Sequence, residues 1–443
     1  MKAYTYKDSG IEWLGDIPSH WKADRIKDKT LSLVGGDWGS DPDSKDEGDP
    51  VIILRVADLD GINFSSSNLT IRKIKESSYE SRKVTDKSLI IEKSGGGEKQ
   101  LVGRVGNPSS IKRNAICSNF MANITFDNTV DISFMSYMFS CLYNAKLQFS
   151  FIQQTTGIQN LNVNYYLTRH IPIPPLSEQK AIVAFLNKAT ARIDRIIRIK
   201  EEQVNQTSRL RGSILDRVLT GGLNDHSSLS DNNNVIQSSS KNGLNIIKLK
   251  YITNRIGDGL HATPNYTENE KYFFVNGNNL VDGAIKPKSN TKTINEDEYS
   301  KYKLSLSDNT VLMSINGTIG TLALYNNEEV VFGKSIAYMD ALDFVNKKYL
   351  MFFLQTTFIK NTIALSLEGT TIKNLSLNTI RNLKVILPTI SEQLEIVEYL
   401  ERYTNIISDV QKNLSTQIKT LKSYRKSLIH ECVTGKKQVA DCI

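Results

Sequence analysis

The run Glu92-Lys93-Ser94-Gly95-Gly96-Gly97-Glu98-Lys99-Gln100 sets three glycines between cations. Without Cβ atoms such a stretch can approach a phosphate closely, and Lys93, Lys99 and Arg104 would supply the charge. The same composition also suits a hairpin tip. Further turns of this kind are Gly257-Asp258-Gly259-Leu260-His261-Ala262-Thr263-Pro264, the strand-like Tyr272-Phe273-Phe274-Val275 running into Asn276-Gly277-Asn278-Asn279, and Ser314-Ile315-Asn316-Gly317-Thr318-Ile319-Gly320. Amides, glycines and cations bind anions and hydrogen-bonding edges; they do not make or break bonds. Sequences that would do so are missing: there is no Asn/Asp-Pro-Pro-aromatic or Phe-x-Gly-x-Gly pattern for base methylation, and no Asp/Glu-x-Lys follows Pro42-Asp43 at short range. Gly333-Lys334-Ser335 resembles the end of a phosphate loop, but Glu328 stands where the upstream glycine is required. No His, Cys or Ser has a recognisable nucleophile setting. Cys117, Cys141, Cys432 and Cys442 form no C-x-x-C pair and have no histidine at ligand spacing, which argues against zinc and against a disulfide framework. The acidic turn Asp41–Asp49 could hold a cation or be a solvated loop. The expectation is a chain with no catalytic and no metal-binding residues.

What must position these turns is a pair of long helices. Pro174-Pro175-Leu176-Ser177-Glu178-Gln179 returns as Pro388-Thr389-Ile390-Ser391-Glu392-Gln393 at an offset of 214 residues, and the same offset aligns Thr220-Gly221 with Thr434-Gly435 without a gap. That period is far too long for a solenoid and marks an internal duplication. Ile182, Leu186, Ile193, Ile196, Leu210 and Ile214 in the first copy, and Ile396, Leu400, Ile407, Val410, Leu414, Leu421 and Leu428 in the second, fall on alternating steps of four and three. Such spacing predicts a coiled-coil seam, interrupted in the first copy by Lys200 and Gln203. Glu178 and Glu392 suit helix N-termini, while Gly221 and Gly435 are placed to stop the helices. Each helix needs a partner for its stripe, and the other copy is the nearest.

Short strand-like runs such as Val51–Val56 and Ser88–Ile91, then helix-like segments near 132–147 and 347–356, make each remaining half α+β. The expected order is a globular domain over 1–173, a long helix over 174–221, a polar Asn/Ser-rich linker over 222–243, a second globular domain over 244–387, a second long helix over 388–435 and a tail over 436–443. Just before each long helix a short echo aligns Thr156, Ile158, Asn160 and Leu161 with Thr370, Ile372, Asn374 and Leu375. Elsewhere the halves have diverged. Trp13 and Trp21 in the leader suit anchors that pack a terminus onto a domain. The net charge of +8 fits a polyanion partner and fits equally a basic protein without one. The first residues form no apolar h-region and no run approaches a membrane span, so the expected location is the cytoplasm.

The leader Tyr6-Lys7-Asp8-Ser9-Gly10-Ile11-Glu12-Trp13 with Ile17-Pro18-Ser19-His20-Trp21, and Pro-x-x-Ser-Glu-Gln heading each long helix, resemble the DNA-specificity subunit of type I restriction-modification systems. Gly35-Gly36-Asp37-Trp38-Gly39 in one half and Asp258–Pro264 in the other are similar to two distinct subclasses of target-recognition domain. The resemblance implies two such domains held by an antiparallel pair of long helices with pseudo-twofold internal symmetry, each domain reading one half of a split, asymmetric DNA site. It further implies two methyltransferase subunits docked on the helices and bringing S-adenosylmethionine, with restriction subunits adding ATP- and Mg-dependent translocation and cleavage. On that footing the candidate DNA contacts are Arg55, Lys93, Lys99, Arg104, Lys112 and Arg113 in the first half and His261, Asn276, Asn278, Asn316 and Lys334 in the second. Two other readings stay open: a stand-alone DNA-modifying enzyme, and a coiled-coil scaffold that never meets DNA.

Overall fold

The computed structural model describes residues 4–97, 100–111, 113–154, 157–221, 245–367 and 374–439. Lys99, Lys112, the expected linker, Cys442 and the echo residues Thr156, Thr370 and Ile372 lie outside them. The chain divides into two compact units, Met1–Lys200 with Thr416–Ile443, and Glu201–Ser415.

In the first unit an antiparallel sheet runs in the order Val105–Gly106, Ser88–Glu92, Met121–Phe126, Thr30–Gly35. A second sheet sets Ala115–Cys117 parallel to Asp49–Leu54, which pairs antiparallel with Thr70–Ile74. Every residue of Ser88–Glu92 is buried, which is why that run shows no polar alternation. The helix Ile132–Asn144 begins where the Asp131 side chain accepts from the N–H of Phe134, and it turns Phe134, Met135, Met138, Phe139 and Leu142 into the core.

The second unit repeats this plan with different residues. Leu322–Leu324, Thr310–Ser314, Ile336–Ala341 and Thr253–Asp258 form the antiparallel sheet in matching order. Val330–Phe332 runs parallel to Tyr272–Val275, and Thr293–Ile294 antiparallel to it. Asn346 caps the helix Lys347–Leu354 as Asp131 caps its counterpart. Both units are α+β, and the duplication that the sequence keeps only in fragments extends through the strand order and directions. The helix expected over 347–356 ends sooner and is followed by another, Thr357–Ser366, whose cap is Thr356.

The long helices are Leu176–Thr220 and Ile390–Val433. Gly221 and Gly435, just past their ends, adopt the left-handed φ of +54° and +77° that a helix stop requires. Gln179 and Gln393 are fully buried and make the same three bonds. Gln179 Nε2 donates to the carbonyls of Thr129 (3.1 Å) and Pro174 (2.9 Å), and its Oε1 accepts from Asp131 N (2.7 Å). Gln393 does so with Phe344 (3.0 Å), Pro388 (2.9 Å) and Asn346 (2.8 Å). Each glutamine thus ties the start of a long helix to the loop that caps the preceding domain helix. The two glutamates differ: Glu392 accepts from Thr389 N and Oγ1, closing its own helix end, whereas Glu178 holds the leader through Tyr4 Oη (2.9 Å), His20 Nε2 (2.7 Å) and Trp21 Nε1 (2.9 Å). Each core also takes the last turn of a long helix. Leu428, Ile429 and Val433 pack with Leu14, Ile17 and Trp21 in the first unit, and Leu215, Val218 and Leu219 with Leu249 and Ile252 in the second.

The inward stripe of these helices differs from the expected seam on one flank. Ile182, Leu186, Ile193, Leu400, Ile407 and Leu428 are buried and Ile196, Ile214, Ile396, Leu414 and Leu421 half-buried, but Leu210 and Val410 are 53% and 43% exposed. Beyond Leu400 the inward positions are 404, 407, 411, 414, 418, 421 and 425, so that Tyr403, Val410 and Tyr424 face out. With 3.6 residues per turn, the fourth residue after Leu400 shares its stripe as readily as the third. Cross-helix hydrogen bonds select the polar flank, Arg425 Nε to Asp194 Oδ1 (2.9 Å) and Gln411 Nε2 to Ser208 Oγ (2.9 Å), while Lys200 Nζ bonds Gln417 Oε1 on the exposed flank. Among the described residues, no helix is long and apolar enough to cross a membrane.

Candidate nucleic-acid interface

In the second unit, turns from four separate segments meet at one end of the paired sheets. Leu260 N donates to Phe332 O (2.7 Å), Lys334 N to Leu260 O (3.0 Å), Gly333 N to Val275 O (2.8 Å) and Ile315 N to Ser335 O (2.9 Å). Gly259 lies so close that a Cβ there would meet the Phe332 carbonyl oxygen at 2.3 Å. Asn276 N donates to Asn279 Oδ1 (3.0 Å), closing a short turn, and Asn276 Oδ1 accepts from Ser335 Oγ (2.9 Å). His261, Asn276, Asn278, Asn316 and Lys334 are thereby gathered into one cluster. Asn278 and Lys334 are exposed, Asn316 is half-buried, and His261 is exposed with its Nε2 on Asp258 Oδ2 (2.7 Å). Asn276 is committed to Ser335.

The first unit builds a cluster on the same backbone plan. Asp37 N donates to Cys117 O (2.9 Å), Ser118 N to Leu54 O (2.9 Å), Lys93 N to Phe120 O (2.9 Å) and Leu161 N to Lys93 O (2.8 Å). Gly36 stands where Gly259 does, its would-be Cβ 2.1 Å from the Ser118 oxygen. Arg55 takes the place of Asn276: its N–H donates to Asp58 Oδ2 (2.9 Å), and its guanidinium grips both oxygens of that buried carboxylate, at 3.1 and 2.7 Å. These hydrogen bonds raise the arginine pKa above its ordinary value and spend the side chain on the turn. By the same alignment Trp38 occupies the place of His261, Phe120 that of Ser335 and Lys93 that of Ile315. Trp38 and Phe120 are exposed. The Arg72 guanidinium stacks 5.1 Å from the Trp38 ring and is pinned by Asp41 Oδ1 at 2.6 Å, while Lys73 Nζ donates to Ser44 O (2.6 Å). The acidic turn is therefore a brace for the Trp38 loop. Burial pushes the nearby Cys117 thiol up to about 12, so it packs as a neutral group.

Two other candidates stand apart. Arg113 is exposed and precedes the strand Ala115–Cys117, at the end opposite Ser118 and the cluster. Arg104 is held by Glu92, Nε to Oε2 at 3.1 Å, on a carboxylate that is itself buried. Arg104→Ala should strand that carboxylate and cost about 3 kcal/mol, read as a lower denaturation midpoint, and adding Glu92→Gln should recover part of the loss. Phe120 and Asp58 carried no signal in the sequence, while Trp38 and Asn279 lay inside recognised motifs without being singled out as contacts. Asn160 and Asn374 carried one, through the echo they share.

Placed against known proteins, the chain matches the family described as the type I restriction modification DNA specificity domain twice, over residues 33–206 and 241–420. The chain belongs to that family. The specificity subunit of the type I restriction enzyme MjaVIII of Methanocaldococcus jannaschii is 23% identical over 313 residues, 67% of this chain and 69% of that protein. That of EcoKI from Escherichia coli is 21% identical over 406 residues, 86% of this chain and 82% of the relative. A solved structure described as "Structural basis underlying complex assembly and conformational transition of the type I R-M system" shares the fold, with a TM-score of 0.69, 16% identity, and 95% of this chain and 99% of that chain covered. The family match falls once on each α+β unit, in agreement with the duplicated strand order.

Proposed function

We propose that this chain is the DNA-reading subunit of a type I restriction-modification complex, with each α+β domain reading one half of a bipartite, asymmetric site. The observation that carries this is the loop cluster itself: two clusters with one backbone plan present unlike exposed groups, Trp38 and Phe120 in one, His261, Asn278 and Lys334 in the other. A shared frame with different tips is what two different half-sites need. The domains run over 1–173 and 244–387, and the helices over 174–221 and 388–435 pair as an antiparallel coiled coil. The cross-helix bonds of Asp194 with Arg425 and Ser208 with Gln411 support that direction, since higher numbers on one helix meet lower numbers on the other. Two methyltransferase subunits dock on these helices, whose outer faces expose Ile199, Leu210, Tyr403, Ile406 and Tyr424. S-adenosylmethionine belongs to those partners, and ATP and magnesium to restriction subunits where these join. The chain contributes recognition and no bond-making residue.

The test is to map methylated adenines in the source genome with and without this gene. A bipartite motif that disappears with the gene is the expected result. Methylation or cleavage of DNA by the purified chain alone would overturn the reading in favour of an enzyme, and binding to duplex DNA that is absent at low salt would overturn it in favour of a scaffold.

A further inference from the structure

Two heads that read different half-sites should differ where exposed or half-buried side chains occupy equivalent places, and around the clusters several do: Trp38 against His261, Phe120 against Ser335, Ser94 against Asn316. Among the described residues nearby, two exposed positions do not differ: Asn164 matches Asn378 on the short helices Val163–Tyr166 and Leu377–Arg381, and Asn160 matches Asn374 at the cluster itself. Asn160 pairs with Ser94 beside Lys93, and Asn374, 214 residues later, bridges Asn316 beside Ile315. The leucines that follow, Leu161 and Leu375, are buried and donate their N–H groups to Lys93 O (2.8 Å) and Ile315 O (2.9 Å). Core packing accounts for the repeated leucine. It does not account for the repeated asparagine, whose side chain is exposed in both units. Asn160 Oδ1 accepts from Ser94 Oγ at 2.7 Å, which fixes the amide by its oxygen and leaves its NH₂ as the free end. What two unlike half-sites have in common is the sugar-phosphate backbone, a row of acceptors that asparagine amides commonly contact.

We propose that Asn160 and Asn374 are positioning residues that donate to backbone oxygens at equivalent points of the two half-sites, setting the register of each head without selecting bases. The proposal rests on the DNA-reading function above. It is tested on the full chain assembled with its modification subunits, using a duplex that carries the methylation motif mapped in the genome. Asn160→Asp keeps the acceptor for Ser94 and puts a charged acceptor where the donor was. Affinity should fall on the order of tenfold, as for loss of a hydrogen bond to a charged group, with the thermal midpoint and the methylated motif unchanged. Asn374→Asp should do the same for the other half-site. Asn160→Ala should weaken binding by less and leave the slope of affinity against salt unaltered, because no ion pair is lost. Asn162→Asp is the charge control: Asn162 caps the helix Val163–Tyr166 through Tyr165 N, a role aspartate also fills, so the same charge two residues away should matter far less. Unchanged affinity in Asn160→Asp, an equal loss in Asn162→Asp, a loss that tracks a lower thermal midpoint, or an altered base preference would each overturn the inference. A wild-type complex that fails to bind the duplex would instead overturn the DNA-reading function.

Discussion

Gln179→Ala is expected to lower the thermal midpoint of the first unit by roughly 10 °C. The side chain is fully buried and satisfies two carbonyls and one backbone N–H, which lose this partner once the amide is gone. Orphaned buried groups cost about 1–3 kcal/mol each, and partial relaxation brings the sum to about 4 kcal/mol. For a domain of this size each kcal/mol is worth about 2–4 °C. Gln393→Ala should do as much to the second unit, through Phe344, Pro388 and Asn346. Because each unit has its own glutamine, the two variants should loosen different amides in hydrogen exchange, the first around 129–131, the second around 344–346. Gln179→Glu should fare no better, since a carboxylate would face the carbonyls of Thr129 and Pro174 with nothing to donate. A midpoint within about 2 °C of wild type in either alanine variant would show that water or a shifted loop replaces the amide.

That glutamine marks where the sequence stopped being legible. Its repetition was visible, and so was the long helix that it opens, because an unbroken offset and a helical period are local signals. Its role was not, because Thr129 and Asp131 lie about fifty residues away along the chain and only tertiary packing brings them to the helix. The same limit explains the candidates that turned out to be committed. Arg55 and Arg104 looked like free surface cations, since nothing in the sequence distinguishes Asp58 and Glu92, which are buried, from acids in water. In the second half the glycine and amide turns were recognisable one by one; that they converge follows from bonds such as Leu260 to Phe332 and Ile315 to Ser335. The inward stripe of the long helices Leu176–Thr220 and Ile390–Val433 departs from the expected seam on one flank, because apolar Val410 suits a seam better by type than Gln411. Polar residues win that flank where a partner such as Asp194 or Ser208 answers them.

Seven residues added to both long helices, after Lys200 and after Ser415, should lengthen the unread spacer of the recognised site by about three base pairs while leaving both half-sites as they are. Each helix begins in one unit and ends in the other, and the unit boundary crosses them at those two points. Seven residues add about 10 Å at 1.5 Å each, and DNA rises about 3.4 Å per base pair. A heptad is close to two full turns and misses by only about 20°, so the inward stripe resumes almost in phase. The pairs of Asp194 with Arg425 and Ser208 with Gln411 then survive on either side of the insert. The added base pairs also turn the second half-site about 100° around the duplex axis, given roughly 10.5 base pairs per turn, so total affinity should fall even as the spacer grows. An insert in only one helix cannot keep both cross-helix pairs, because it displaces one by about 10 Å relative to the other, and should abolish sequence-specific methylation. Mapped methylation motifs from the two variants separate the cases: a longer spacer with matched inserts and no motif with a single insert is the expected pattern. An unaltered spacer in the matched variant would mean that the span between half-sites is set by the domains and not by the helices.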